Sequence, residues 1–453
     1  MAAHLVFTAV VLAGAVAADK TSGTFSVLSM NVAGLPELLS SGDPQANTAL
    51  ISPRLAPYNI INVQEDFNYH ATLYAGDNHA YRTPTSGGVP FGSGLNTLSD
   101  FQYIDLDRVT WDDCNSNNGD CLTPKGFTYA RVRVSDGMYV DVYNAHTDAG
   151  SDDGDRTARK SNLAQVAAYA KVNSVGMPVA IFGDTNSRYS NAVDGASLRS
   201  LVSDLGATDA WVSNIRGGVP PALNTDAIVC DFPFAVGTSQ ATMVACEVVD
   251  KILTRPGSAI ELTTTSYTSE NDAFVNASGY PLSDHYPISA TVSWKLSSTL
   301  RMGDSAGGPH ADTFTDLASN LAANNVPTMT SFTISSGNRI DRVSYDLTYP
   351  DGSKQTISHG GSGGTAKTLS LAGDYITGLT FCTGQKNDHT RVFYIKATTK
   401  GGKTLEGGSS TSDCVTVSVP TDAGSGGAWG LVGFWGRAGD ETDRLGPFWG
   451  AVY

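Results

Sequence analysis

The stretch Val179-Ala180-Ile181-Phe182-Gly183-Asp184-Thr185-Asn186 decides how the first two thirds of this chain fold. Five residues run without a polar interruption, as in a strand covered on both faces. The run then stops on an acid and an amide. Working outward, residues 156–172 read as a helix with Leu163, Val166, Ala167 and Ala170 on one face, and residues 198–205 as another. Residues 24–30, 58–63, 248–253 and 288–294 read as strands. Residues 129–134 and 139–145 read as a hairpin around Asp136-Gly137. Helices and strands mixed over about 270 residues suit one α/β domain with packed sheets.

Polar residues recur where these strands end. Asn31 follows the first strand, Glu65 the second, and Asn144 and His146 the hairpin. Asp184 and Asn186 close the quoted stretch, Asp250 sits inside residues 248–253, and Asp284-His285 precede the last strand. Strand ends are where α/β sheets build sites. Carboxylate and amide oxygens without cysteine suit a hard cation, Mg²⁺ or Mn²⁺ or another divalent ion. A histidine beside aspartates can take a proton from water. Together these are the parts of a metal-assisted phosphoester hydrolysis.

The charge balance fits that chemistry. The 453 residues carry a net charge of −15. The first 300 hold 17 Lys+Arg against 30 Asp+Glu, and the rest 12 against 14. A polyanion binder working through basic side chains is excluded, because it needs a basic face. A bound cation, however, reverses the local sign where a phosphate must sit. Glycine shifts the other way, 23 in the first part and 25 in the shorter second part, which points to two domains. Residues 5–17 form an apolar run ending in small residues, so residues 1–18 read as a signal peptide and the protein as secreted. No later stretch is apolar for long enough to span a bilayer. Six cysteines in an exported chain suggest three disulfides. Neighbours in sequence would pair as Cys114–Cys121, Cys230–Cys246 and Cys382–Cys414, with no bridge between domains.

Six segments in order cover nearly all of residues 24–294: Ser29-Met30-Asn31, Val63-Gln64-Glu65, Asn144-Ala145-His146, Gly183-Asp184-Thr185-Asn186, Val249-Asp250-Lys251-Ile252-Leu253 and Ser283-Asp284-His285-Tyr286-Pro287. In this the chain resembles the endonuclease/exonuclease/phosphatase superfamily. The resemblance implies a four-layer α/β sandwich over residues 24–296 that works with a divalent metal. It implies Glu65 as main metal ligand, helped by Asn31, with Asp284 near the metal or a second cation. It further implies that Asp184 and Asn186 orient water and phosphate, that His285 is the general base with Asp250 on its other nitrogen, and that His146 donates to the phosphate. Lys125-Gly126-Phe127, with the last segment, is similar to the neutral sphingomyelinase branch. Phe232-Pro233-Phe234 is the one candidate for an exposed aromatic segment of the membrane-inserting kind.

Residues 300–453 read as all β, in Val/Ile/Thr/Tyr-rich runs at 330–335, 340–349, 375–383, 392–399 and 414–419 separated by glycine turns. The glycine clusters at 307–308 and 360–364 and the stretch 436–446 resemble jacalin-type lectins. That resemblance implies a β-prism whose Gly439 and Asp443 belong to a Gly-x-x-x-Asp sugar loop. The junction at residues 295–303 is short, so the two domains should touch. The combined expectation is a secreted phosphodiesterase, acting on a lipid head group or nucleic acid and held near it by glycans. The alternatives are a nuclease, an inositol-phosphate phosphatase, or a lectin with an inactive hydrolase-like domain.

Overall fold

The computed structural model describes residues 20–40, 42–117, 119–318 and 320–453. The leader read over residues 1–18 lies outside them. The first domain is built on β1 (Ser22–Asn31), β2 (Ile60–Gln64), β3 (Tyr81–Arg82), β4 (Asn96–Ser99), β5 (Tyr103–Thr110), β6 (Gly126–Ser135), β7 (Met138–Ala145), β8 (Val179–Asp184), β9 (Thr208–Asp209), β10 (Asp250–Arg255), β11 (Ile260–Ser269) and β12 (Ile288–Leu296). They form two six-stranded sheets, ordered β11-β12-β1-β2-β4-β3 and β5-β6-β7-β8-β10-β9.

The sheets pack face to face. Phe25, Val27 and Ile60 of one share an apolar cluster with Tyr129, Val142, Tyr143 and Ile181 of the other. A buried amide fastens them: Asn62 Nδ2 donates to the carbonyls of Tyr143 at 3.0 Å and Phe182 at 2.9 Å. Helices form the outer layers. On the first sheet, α1 (Pro44–Ile51) and α2 (His70–Ala75) bury Ile51 and Leu73 against Leu28, Met30 and Ile61. On the second, α3 (Asp153–Asn173) buries Leu163, Val166, Ala167 and Ala170, the face read from their spacing. Next to it lies α4 (Ala192–Leu205), capped by Asn191 and ended by Gly206 in the left-handed region (φ +63°) that glycine adopts without strain. Buried Arg159 of α3 pairs with Asp194 of α4 through Nε at 3.0 Å and Nη2 at 3.0 Å. Four layers result, helix–sheet–sheet–helix.

Topology puts six strand termini at one end. β1 and β2 are parallel, as are β7 and β8, so Asn31, Glu65, His146 and Asp184 leave together. β10 runs antiparallel to β8 and β12 to β1, so the starts of β10 and β12 lie beside those ends. Residues 248–253, read as one strand, begin their ladder only at Asp250. This residue therefore opens the strand rather than sitting inside it, directly opposite Asp184. β11 and β5 escape the sequence reading because neither is a continuous apolar run: β11 is a Thr-rich edge strand and β5 alternates half-exposed polar residues.

Residues 300–453 form one five-stranded and two four-stranded antiparallel sheets around their own apolar core, a β-prism. The five-stranded sheet joins Leu300–Met302, Ala306–Gly307 and Asp312–Thr315 to Trp429–Ala438 and Thr442–Ala451 at the end of the chain. The three disulfides link Cys114 to Cys121, Cys230 to Cys246 and Cys382 to Cys414.

The domains meet through a continuous interface. Leu300, Met302, Trp435 and Phe448 belong to the apolar cluster of the first domain. The Trp435 ring meets Tyr139 edge-on at 5.1 Å. Asp304 accepts from Arg133 at 2.8 and 2.6 Å and from Tyr139 at 2.7 Å. Buried Asp105, at a bulge in β5 with φ +60°, accepts from Arg437 at 3.0 Å and Arg444 at 2.6 Å.

Candidate active site

Asn31 is fully buried at the end of β1, and its amide Nδ2 donates to Glu65 at 3.0 Å and to Asp184 at 3.2 Å. It thereby ties the two parallel strand pairs, one from each sheet, to a common point. Glu65 is half-buried with φ +58°, an uncommon conformation for a long side chain that the converging strands hold in place. Burial pushes its carboxyl up, opposed by the Asn31 amide and by the positive charges of Lys125 and His285.

Asp184 is the hub. Its Oδ1 accepts from the Asn186 amide at 2.9 Å, and its Oδ2 lies 3.5 Å from His146 Nε2 and 3.5 Å from His285 Nε2. Burial pushes this acid up, but His285 and His146 outweigh that and hold it down at about 2, so it is ionised. Asp250 lies opposite. Like charges facing each other across a ladder repel, and His285 separates them: its Nδ1 is 2.9 Å from Asp250 Oδ2. Burial works against a charged imidazole there, yet the two carboxylates prevail and hold His285 well above the ordinary histidine range. Burial in turn pushes Asp250 up, and its second oxygen is buried without a hydrogen-bond partner.

His146 is buried, and burial together with Lys125 pushes it down to about 3, so its ring is neutral. Asn186, in the left-handed region at φ +46°, directs its side-chain amide to the Thr147 carbonyl at 3.2 Å. Asp284 is exposed at the rim, where its charge acts on both Glu65 and His285. The structure thus gathers Asn31, Glu65, Asp184, Asp250, His146 and His285 around one point, with Asn186 on its floor and Asp284 at its edge.

The donor set consists of carboxylate oxygens, one of them, Asp250 Oδ1, buried without a partner; Asn31 gives its Nδ2 to two of the acids and its Oδ1 to the Ala33 backbone amide at 3.0 Å, so its oxygen would reach a cation with the amide turned over. These residues fit a divalent cation, with Glu65, Asn31 and Asp284 as the side chains to hold it. Asp184, Asp250 and His285 also bring one ligand atom each within 4.8 Å of one another. Lys125 and Gln64 lie beyond the strand-end reading, and Asn144, which is in it, takes a supporting place behind the site. Lys125 adds a positive charge at the same mouth. Gln64 and Asn144 form a buried amide pair at 2.8 Å behind Glu65 and His146, with Asn144 also donating to the Val63 carbonyl at 2.9 Å. Both amides stand inside quoted segments, but nothing local announces that they bond across the sheets. In the Phe232-Pro233-Phe234 segment Phe234 is buried and stacks on Tyr286 at 4.3 Å, whereas Phe232 stays exposed with its ring 5.1 Å from Tyr286, beside His285.

In the second domain, Gly439 N donates to the Glu441 carbonyl at 3.0 Å, and Gly308 N donates to the Asp443 carbonyl at 2.9 Å. A Cβ on Gly307 would fall 2.0 Å from that carbonyl, so the approach requires glycine. Asp443 is nearly buried. Its Oδ1 lies 3.5 Å from Arg391 Nε, and neither atom has a hydrogen-bond partner. Glu441 pairs with Arg339 and Arg391, which hold its carboxyl down at about 2 and leave a charged lid beside Asp443.

Residues 45–213 match Endonuclease/Exonuclease/phosphatase family 2, and residues 303–448 match the Jacalin-like lectin domain. Over 293 residues the chain is 43% identical to proteins named sphingomyelinase from Mycobacterium bovis and Mycobacterium tuberculosis, an alignment covering 62% of this chain and 55% of theirs. The chain thus spans about half the length of these curated relatives. The crystal structure of sphingomyelinase C from Streptomyces griseocarneus is 19% identical with a TM-score of 0.42, covering 59% of this chain and 99% of that one. Among the described residues no helix is long and apolar enough to cross a membrane. The chain carries an endonuclease/exonuclease/phosphatase domain followed by a jacalin-like lectin domain.

Proposed function

We propose that this protein is a secreted, divalent-metal-dependent phosphodiester hydrolase of the sphingomyelinase type, held near its substrate by glycan binding. The observation that carries the reading is the His285 bridge between Asp250 and Asp184, set beside Glu65 and Asn31. The 43% identity to proteins named sphingomyelinase favours a choline-phosphate lipid over nucleic acid, and so does the acidic surface. The three disulfides and the apolar leader support export.

In this mechanism, Asp250 holds the Nδ1 proton of His285, which leaves Nε2 to take a proton from water at the face shared with Asp184. Asp184 and Asn186 fix that water in line with the phosphorus. His146, being neutral, donates to a phosphoryl oxygen, and Lys125 balances the charge that builds up on it. Glu65, Asn31 and Asp284 would hold a divalent cation, which when bound would supply Lewis-acid polarisation of a phosphoryl oxygen and positive charge to offset the carboxylates around His285. The test is a panel of sphingomyelin, DNA, an inositol phosphate and a chromogenic phosphodiester, each with Mg²⁺ and with chelator. Sphingomyelin should be turned over, chelator should abolish the rate, and added Mg²⁺ should restore it. A chelator-resistant rate, or none on any substrate, overturns the reading.

For the second domain, the unpartnered Asp443 oxygen and Arg391 Nε present an acceptor and a donor to vicinal hydroxyls. A glycan array should give signal for the full chain, and Asp443→Ala should abolish it. An unchanged array removes Asp443 from the sugar site.

A further inference from the structure

In the second domain, the turn that carries the sugar loop places a carboxylate of its own between two arginines. Glu441 stands between Trp429–Ala438 and Thr442–Ala451, with its side chain 16% exposed. Arg339, in the turn between Thr328–Ser336 and Ile340–Thr348, donates to it through Nε at 2.7 Å and through Nη2. Arg391, on His389–Thr399, donates to it through Nη1 at 2.6 Å. Each of the three residues comes from a different sheet of the prism, so one carboxylate gathers all three at this end. Asp341, which also acts on Arg339, is tied to the Gly337 amide at 3.0 Å.

Arg391 faces a second acid as well. Its Nε lies 3.5 Å from Asp443 Oδ1, and both atoms are buried without a hydrogen-bond partner. Burial pushes the Asp443 carboxyl up, against the pull of Arg391 and of the stacked His310 and His389 rings. Glu441, in contrast, is held down at about 2, chiefly by its bonds from Arg339. Two residues apart, one acid has three N–H donors and the other has an oxygen with none.

A fork of N–H groups from Arg339 with a third from Arg391 matches a planar carboxylate. A neutral hydroxyl arriving there would exchange charge-assisted bonds for weaker ones. An arriving carboxylate replaces Glu441 in kind. Glu441 sits on a turn beside exposed Asp440, from which it can swing out to water. That exchange is nearly balanced by itself. Ring hydroxyls on Asp443 Oδ1 and Arg391 Nε, which the loop leaves unserved, tip it toward the ligand. We infer that the second domain selects glycans bearing a carboxylate, the hexuronic acids. Arg339 and Arg391 take the carboxylate, Asp443 takes a ring hydroxyl, and Glu441 is the stand-in that the ligand displaces. The inference rests on the reading of the second domain as a glycan binder, and adds to it the chemical class of the sugar.

The test titrates the full chain by calorimetry with three disaccharides that differ only at the terminal C6: a glucuronic acid, a glucose and a glucose 6-sulfate. The wild type should bind the glucuronate about tenfold more tightly than the glucose, the size of a hydrogen bond to a charged group. That ratio should fall as NaCl is raised, because the contact lies near the surface. Glu441→Gln keeps the length of the side chain but removes the competing charge, and should raise the ratio about tenfold further. Arg339→Ala should bring it to unity. The sulfate should rank below the glucuronate, since its tetrahedral head fits a planar cradle less well; a sulfate that binds as tightly or more tightly overturns the carboxylate assignment. Equal binding of glucuronate and glucose by the wild type, with a ratio that Glu441→Gln does not raise, overturns the inference while glycan binding through Asp443 stands. A Glu441→Gln variant that weakens both sugars alike overturns it too, and makes the cluster a brace for the loop. If neither the wild type nor Glu441→Gln binds any glycan, the lectin reading fails and the inference falls with it.

Discussion

Replacing His285 by Ala should lower phosphodiester turnover by about 10²–10⁴-fold, the contribution of a positioned general base. The geometry makes this the largest catalytic effect in the molecule. Of the two imidazoles in the candidate site, His285 is the one with a carboxylate on each side, Asp250 at 2.9 Å and Asp184 at 3.5 Å. His146 is pushed down to about 3 and its ring stays neutral, but it is buried as a donor and has no carboxylate to orient its other nitrogen. It therefore has no means of taking over. Asp250→Asn should fall in the same range, since an amide can donate to Nδ1 and select the wrong tautomer. Binding should survive both changes: the loss belongs in kcat, with KM nearly constant, because the ring acts on water rather than on the substrate's ground state. Partial recovery of the His285→Ala rate by added imidazole would identify the missing group as the base. A kcat that changes less than threefold would remove His285 from the mechanism.

Asp105→Ala should destabilise the whole chain by about 3–5 kcal/mol, the cost of stripping the partner from a buried ion pair. Here two guanidiniums lose it at once. Arg444 and Arg437 come from the second domain and both reach Asp105, and Arg437 also donates to the Ala311 carbonyl at 3.0 Å. The backbone adds to the effect: Asp105 stands at φ +60°, where aspartate is tolerated better than alanine. Asp105→Asn separates the two terms, because it keeps the conformational tolerance and loses the charge. Urea unfolding followed by tryptophan fluorescence reads both. Trp435 sits in the interface against Tyr139 and Arg131, so it reports on domain separation directly. The wild type should unfold in one transition and Asp105→Ala at lower urea. Unchanged stability would show the interface to be held by its apolar contacts alone.

Much of the fold is legible from short-range pattern. The run 179–183 is apolar throughout because β8 is covered on both faces, and the spacing of Leu163, Val166, Ala167 and Ala170 marks the buried side of α3. β11 and β5 were hidden for the converse reason, since an edge strand needs no continuous apolar run. The strand-end polar residues were equally legible one by one. Their mutual arrangement was not, because it depends on register: Asp250 faces Asp184 only through the antiparallel pairing of β10 with β8.

The sequence by itself determined the two-domain division, the layer pattern of the first domain, and the inventory of acids, amides and histidines at its strand ends. These follow from local periodicity and from the side chains a phosphoester site requires. Only the tertiary structure decided what those groups do to one another. It set His285 between two carboxylates and locked Asp105 to arginines 332 and 339 residues away. Contacts across such separations carry no local signature. They exist because burial leaves each charge only the partner that packing brings to it.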